Sequence, residues 1–488
     1  MYLSKSQYLR GLQCHKSLWL YRHRRELMTP PDAAREAVFA VGHEVGKLAQ
    51  RRFPGGVEIA LERDNFDAMC ARTAELIEQG ARVIYEATFV RDGLLAMVDI
   101  LVKNDDAWDF FEVKSSTRVK PVHLPDAAIQ WHILDAQLEL GRAHIMHIDT
   151  RYRRSGALDL DRLFLSVDVT AEVTQLQPGL PASVQSMQSM LADAEPDIAI
   201  GQHCKNPYEC DFKAWCWRAV PKPSVFDLYK LPGERKFELF RRGLVRYADL
   251  RGQNLSAAQA LQIDTAASGE AHVDRQGLGE FLAAARYPLH FLDFETLMHA
   301  VPRFDDQRPY QQIPFQYSLH ILHADGELEH REFLAEEGKD PRTAVAVSLA
   351  GDLGEHGSIV AYSEPTEKRA LGALAEHCPR QAAALGAAQT RFIDLLTPFR
   401  QLMYYHPDFN GDLSIKSVLP AMLPNDPEAD YAGLEISDGR TAMRKYDELA
   451  QIDDEGERRK ARDALRDYCR LDTLAMVRIW QELLRLAR

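Results

Sequence analysis

Short, mostly apolar runs alternate with longer amphipathic stretches along this chain. Val83–Val90, Leu94–Val102 and Ala107–Lys114 are apolar runs of strand length bounded by turn residues, and they predict three successive strands. The third breaks into Ser115-Ser116-Thr117. Asp126–Gly141 then places Ala127, Ile129, Ile133, Leu134, Ala136 and Leu138 at helical spacing, and Ala143–Ile148 predicts a further strand. The C-terminal part repeats the theme. Tyr287–Glu295, Ile359–Tyr362 and Arg391–Ile393 read as strands, and Ser363–Leu371, Gly411–Leu419 and about Glu455–Arg488 as helices. Between about 220 and 280 there is little strand signal. Leu231–Lys236 and Leu239–Leu244 suggest helices around a glycine turn, faintly like a helix-hairpin-helix, and Thr265–Asp274 reads as an exposed loop. The expected fold class is α/β in two domains, 1–220 and 281–488, joined by a helical linker at 221–280.

Composition narrows the class. The chain has 488 residues, 46% of them hydrophobic, enough for two or three domains with sizeable cores. The net charge of −13 argues against wholesale coating of nucleic acid and requires any such contact to use local basic strips. Lys16, Arg22, Arg24 and Arg25, interleaved with Trp19 and Tyr21, form one candidate; a solvated helix face is the equal alternative. Seven cysteines in this length do not make a secreted disulfide framework. No apolar signal core and no run approaching ~20 apolar residues is present, so a cytoplasmic location without membrane contact is expected.

The candidate chemistry lies first in Asp99 and Glu112-Val113-Lys114. On a strand Glu112 and Lys114 share a face, and a hairpin brings Asp99 to them. Two acids and a lysine at one point suit phosphodiester hydrolysis, with a divalent metal held by the acids. Taken alone, Glu-x-Lys is more often an exposed ion pair. The order Glu86, Asp99, Glu112-Val113-Lys114, Gln130, however, resembles the PD-(D/E)xK nucleases, and within them the RecB-like branch that includes the exonucleases of CRISPR adaptation. The resemblance implies a restriction-endonuclease-like domain in which Asp99, Glu112 and the Val113 backbone bind Mg2+ or Mn2+, Lys114 assists hydrolysis and Gln130 supports the site. One departure concerns a histidine that the branch often carries four residues after an early glycine. Here Gly46 stands four after Gly42, and the histidine is His43.

Cys204, Cys210 and Cys216 follow one another at Cys-x5-Cys-x5-Cys among aromatic residues. Three clustered thiols need a fourth ligand, and Cys14, Cys70 and His203 are all open to the spacing alone. RecB-like nucleases often carry one cysteine before the core and three after it, holding a [4Fe-4S] cluster. That resemblance assigns Cys14, Cys204, Cys210 and Cys216 to such a cluster, with zinc as the competing chemistry. Cys70, Cys378 and Cys469 read as isolated buried thiols with no assigned role.

A second carboxylate pair, Asp293 and Glu295, ends the strand Tyr287–Glu295 and shares one face. Tyr468 and Asp472 lie four apart on the last helix. Together they resemble the first and last motifs of the DnaQ-like exonucleases with a DEDD site of the tyrosine type. This implies an RNase H-like domain with metal at Asp293, Glu295, Glu367 and Asp472 and a water-positioning Tyr468. The middle motif departs: Ser363, Thr366 and Glu367 stand where Asn-x2-Phe-Asp is usual, and Asp394 is a reserve ligand.

The expected function is a Mg2+- or Mn2+-dependent nuclease acting on DNA, from ends or on single strands, in repair, CRISPR-related processing or phage defence. The alternatives are an RNase, or a nucleic-acid-binding scaffold with a degenerate second site. No phosphate-loop spacing surrounds Gly46-Lys47, so any helicase partner is a separate chain.

Overall fold

Strand-forming residues dominate the runs around the first motif, and six strands there pair side by side in sequence order, with a seventh added to one of them. The structure, a computed structural model, describes residues 2–63, 65–424, 426, 431, 433–436 and 438–488. It falls into two compact units, Met1–Ala219 with His299–Tyr310, and Val220–Met298 with Gln311–Arg488. Both are mixed α/β.

In the first unit the sheet order is β2 (Val57–Glu58), β3 (Val83–Arg91), β4 (Leu94–Asn104), β5 (Ala107–Lys114), β6 (Leu140–Ile148) and β7 (Phe164–Asp168). β1 (Leu3–Ser4) adds in parallel to β4. The β3–β4 and β4–β5 pairs are antiparallel, and β5–β6 is parallel. A parallel pair needs a crossover, and the helix His123–Leu134 lies in it. Four other helices matter for the site: α1 (Lys5–Gln13), α2 (His15–His23), α3 (Ala33–Gln50) and α4 (Phe66–Glu78), so the crossover helix is α5. Ala127, Ile129 and Ile133 of α5 bury against Ala96, Val98, Leu101 and Phe110 of the sheet. A second apolar cluster gathers Val45, Ala49, Ile100, Phe111, Met146 and Ile148 with Ala300 from the His299–Tyr310 segment.

Both ends of the crossover helix differ from the sequence expectation. The helix expected over Asp126–Gly141 begins three residues earlier and ends at Leu134. Pro125 is tolerated there because the first turn of a helix has no intrahelical partner for its missing N–H. At the other end Gly141 already belongs to β6, whose pairing with β5 starts at Leu140.

In the second unit the order is β11 (Leu328–Leu334), β10 (Ile313–Leu322), β9 (Leu289–Leu297), β12 (Ser358–Ala361) and β13 (Phe392–Asp394). β9–β10 and β10–β11 are antiparallel, whereas β9–β12 and β12–β13 are parallel. β8 (His272–Val273) and β14 (Tyr404–Tyr405) form a separate ribbon. The long helix Glu455–Ala487 buries Met476, Ile479, Trp480 and Leu483 in a core shared with Leu289, Phe291 and Val360. Residues 221–280, expected as a linker, pack within this unit around their own cluster of Val225, Leu228, Leu239, Tyr247, Leu250 and Ile263. Thr265–Ser268, expected as loop, is instead the last turn of the helix Ala257–Ser268, which ends at Gly269 with φ +73°. A left-handed glycine is the common helix terminator. Among the described residues no helix is long and apolar enough to cross a membrane.

Candidate carboxylate centres and a four-cysteine recess

The first centre is built on the middle of the N-terminal sheet. Pairing of β4 with β5 stops at Ile100↔Phe111. Just beyond, the Val113 N–H donates to Asp99 Oδ2 at 2.7 Å. Opposite, on β3, Glu86 has φ +56°, and the β3–β4 register skips it between Tyr85↔Ile100 and Ala87↔Val98. This local break lets a carboxylate occupy the sheet where a regular ladder would continue.

Glu112 is only 2% exposed and receives three side-chain partners. Lys114 Nζ lies 2.6 Å from Oε1, and Gln130 Nε2, from α5, donates to Oε2 at 2.7 Å. The structure thus brings Asp99, Glu112, Lys114 and Gln130 together. It also brings two groups that sequence reading missed. Lys5 of α1 donates to both Glu112 oxygens at 2.8 and 2.9 Å. Asp126, one turn before Gln130 on α5, accepts from Lys114 at 2.5 Å and lies 3.5 Å from Lys5. The four-residue spacing of Asp126 and Gln130 was a usable signal; Lys5, 107 residues from Glu112, left none.

Burial sets the electrostatics. It raises Asp99 to about 7, with Glu112 adding repulsion and Lys5 and Lys114 opposing. Burial would raise Glu112 too, but Lys114 and Lys5 outweigh it and hold this carboxyl well below the usual range. Asp126 is raised by burial and by Glu112, and its Oδ1 is buried without a hydrogen-bond partner. That oxygen faces the Lys5 ammonium at 3.5 Å, and a buried acid beside other acids fits a cation site. His43 is exposed on α3.

The four cysteines converge. Cys14, Cys204, Cys210 and Cys216 line one recess with Lys16, Ser17, His203 and Phe212. Cys14 sits in extended backbone between α1 and α2. The segment carrying the other three is tied to α1, since Gln13 Nε2 donates to the His203 and Tyr208 carbonyls at 2.7 Å each. Arg10 and Arg35 both pair with Asp211. Burial pushes the Cys216 thiol up to about 11, with Lys16 opposing and Cys210, Cys204 and Cys14 adding. Four thiols around one recess suit a cluster or zinc. Cys70 is not part of it, and His203 is a lining residue.

The basic and aromatic strip beside this recess is largely engaged within the unit. Lys16 pairs with Glu195 at 2.9 Å, Arg22 donates to the Tyr2 carbonyl at 3.0 Å, and Arg25 lies over the Tyr21 ring. The Trp19 indole N–H donates to the Asp193 carbonyl at 2.9 Å.

The second centre lies on β9, the middle strand of its sheet. Burial, with Asp472, Glu295 and Glu367 adding, raises Asp293 well above the ordinary range. Burial and Asp472 push Glu295 up to about 8, against Lys416. Burial, with Asp394 adding, pushes Glu367 up to about 8, and its Oε2 is buried without a hydrogen-bond partner. Acids that cannot all ionise together are relieved by a bound cation. Tyr468 and Asp472 face this cluster from the long helix, and both the Tyr431 and Tyr468 hydroxyls bond to Asp472, Tyr431 at 2.7 Å. Lys416 Nζ reaches the Tyr468 oxygen at 3.2 Å.

Three residues here take places that the sequence did not reveal. Cys469, read as an isolated thiol, has Sγ 3.8 Å from Asp293 Oδ2 and groups with Asp293 and Glu295. Lys416 and Tyr431 come from segments without a distinctive motif. Asp394, the reserve ligand, accepts the Ser363 and Leu396 N–H groups at 3.0 Å each and lies 3.6 Å from Arg400. It anchors the turn before the Glu367 helix, Pro365–His377, at Ser363 with φ +72°.

Comparison with known sequences adds one match. A family described as a domain of unknown function, DUF2779, matches residues 290–414, about a quarter of the chain. This stretch holds Asp293, Glu295 and Glu367 and stops before Asp472. No curated protein matches the chain.

Proposed function

We propose that the protein is a metal-dependent nuclease with a PD-(D/E)xK centre in the first unit and a DnaQ-like centre in the second. One observation carries the reading: Lys114 and Gln130 bond to the buried Glu112 carboxylate, and Asp99, held by the Val113 N–H, lies near enough for the two acids to repel. The strand order β11-β10-β9-β12-β13, with its antiparallel and parallel halves, supports an RNase H-like second domain. DNA is the favoured substrate, cut from ends or on single strands.

In the first centre Asp99, Glu112 and the Val113 backbone would hold Mg2+ or Mn2+, which supplies an activated water and neutralises phosphate charge. Lys114, fixed between Glu112 and Asp126, places a permanent positive charge beside the reacting phosphate. Gln130 holds the second Glu112 oxygen and so fixes the plane of that carboxylate. In the second centre Asp293, Glu295, Glu367 and Asp472 would hold the metal, and the Tyr468 hydroxyl orients water. Cys14, Cys204, Cys210 and Cys216 would hold a [4Fe-4S] cluster in a structural role.

The test gives purified protein Mg2+ or Mn2+ with labelled single- and double-stranded DNA and RNA. Lys114→Ala is expected to remove one cleavage activity while circular dichroism stays native, and Asp293→Ala to remove the other. Unchanged cleavage of every substrate by Lys114→Ala refutes the first centre. RNA cut in preference to DNA replaces the substrate, and no cleavage by the wild type leaves a nucleic-acid-binding scaffold.

A further inference from the structure

Lys5 stands outside every motif, yet it reaches the first centre from α1. Its ammonium bridges both oxygens of Glu112 at 2.8 and 2.9 Å. A cation placed symmetrically on a carboxylate takes the position a bidentate metal ion takes. Lys114 already serves Glu112 Oε1 and Asp126 Oδ2, so the acid carries two ammonium groups and an amide. Asp126 Oδ1, buried and without a hydrogen-bond partner, waits 3.5 Å from Lys5.

We propose that Lys5 is a positioning residue that competes with the divalent ion for Glu112 and moves to Asp126 when the ion binds. The inference rests on the reading of this centre as a metal site. Lys5 sits on the first turn of α1, directly after the two-residue strand β1. A small shift of this turn carries the ammonium between the two acids without disturbing Lys114 or Gln130. The ion then enters a centre whose positive charge is kept but relocated, and Lys5 sets the concentration at which it enters.

The experiment measures Mn2+ binding to the full-length protein by electron paramagnetic resonance, in an Asp293→Asn, Glu295→Gln background that silences the second centre. Lys5→Met is expected to tighten Mn2+ binding about tenfold or more, the scale of one charge-assisted hydrogen bond. Lys5→Arg, which keeps the charge, is expected to stay near the parent affinity. Thermal unfolding is followed in parallel, because a merely structural Lys5 would lower stability and leave Mn2+ affinity unchanged. Equal or weaker Mn2+ binding in a folded Lys5→Met protein overturns the proposal. Glu112→Gln separates the two readings. If it removes a Mn2+ site and Lys5→Met does not alter that site, only the role of Lys5 fails. If neither the parent nor Lys5→Met shows a site sensitive to Glu112→Gln, both fall.

Discussion

Glu295 and Glu367 show what burial among other acids does to a carboxyl. Both are pushed up to about 8, from an ordinary value of 4.5, by desolvation and neighbouring acids. The folded protein therefore holds protons that the unfolded chain has lost between those values, and this stabilisation is complete below the lower one. It disappears as pH rises through about 8. The unfolding midpoint of metal-stripped protein should fall from about pH 5 to about pH 9, and Glu367→Gln should flatten that fall. Equal slopes in the wild type and the variant would mean that Glu367 titrates normally. Added Mn2+ should oppose the loss, because it binds the ionised form. At this scale the sequence was legible wherever side chains meet at a local period. Glu112 and Lys114 share a strand face at i, i+2, and Tyr468 and Asp472 share a helix face at i, i+4. Lys5, Lys416 and Tyr431 were hidden because their partners lie 107, 52 and 41 residues away, at no repeat that a sequence displays.

Elements, more than single side chains, decide whether the four thiols can act as a set. Cys14 is delivered by the break between α1 and α2, and the other three by a segment nearly two hundred residues later. Gln13, Arg10 and Arg35 hold that segment against the N-terminal helices. Protein purified without oxygen should be brown and absorb in the visible region, and Cys14→Ser should bleach it. Stoichiometric zinc without iron under those conditions assigns the recess to zinc instead. The clustering of Cys204, Cys210 and Cys216 was plain in the sequence, since their spacing is regular. Element ends were less plain. Pro125 reads as a breaker yet lies inside the first turn of α5, and Ala266-Ala267-Ser268 reads as a loop yet completes a helix that Gly269 stops. In both places the local residue type permits two conformations, and packing chooses. Ile129 and Ile133 pull α5 onto the sheet, as Ile263 pulls its helix onto the Val225 cluster.

The whole molecule is discontinuous in sequence. The first unit takes Met1–Ala219 and then, after a gap, His299–Tyr310. Ala300 is buried among Ile100, Phe111 and Met146, and the Tyr310 hydroxyl donates to the Ser115 carbonyl, next to Lys114. Ala300 and Val301 are two apolar residues without a period, so nothing in the pattern marked this segment. A chain emerging from the ribosome has every strand of the first sheet by residue 168, but its last core residues arrive about 140 residues later. Until then the cluster around Ile100 and Phe111 lacks Ala300, Val301 and Tyr310. A fragment ending at Ala219 should expose that cluster, bind a hydrophobic dye and resist proteolysis poorly, and adding the peptide 299–310 in trans should reverse both effects. Indifference to the peptide would show that the first sheet matures alone. Otherwise the centre at Glu112 stays unfinished until the strand bearing Asp293 and Glu295 has been made, so that synthesis itself orders the appearance of the two centres.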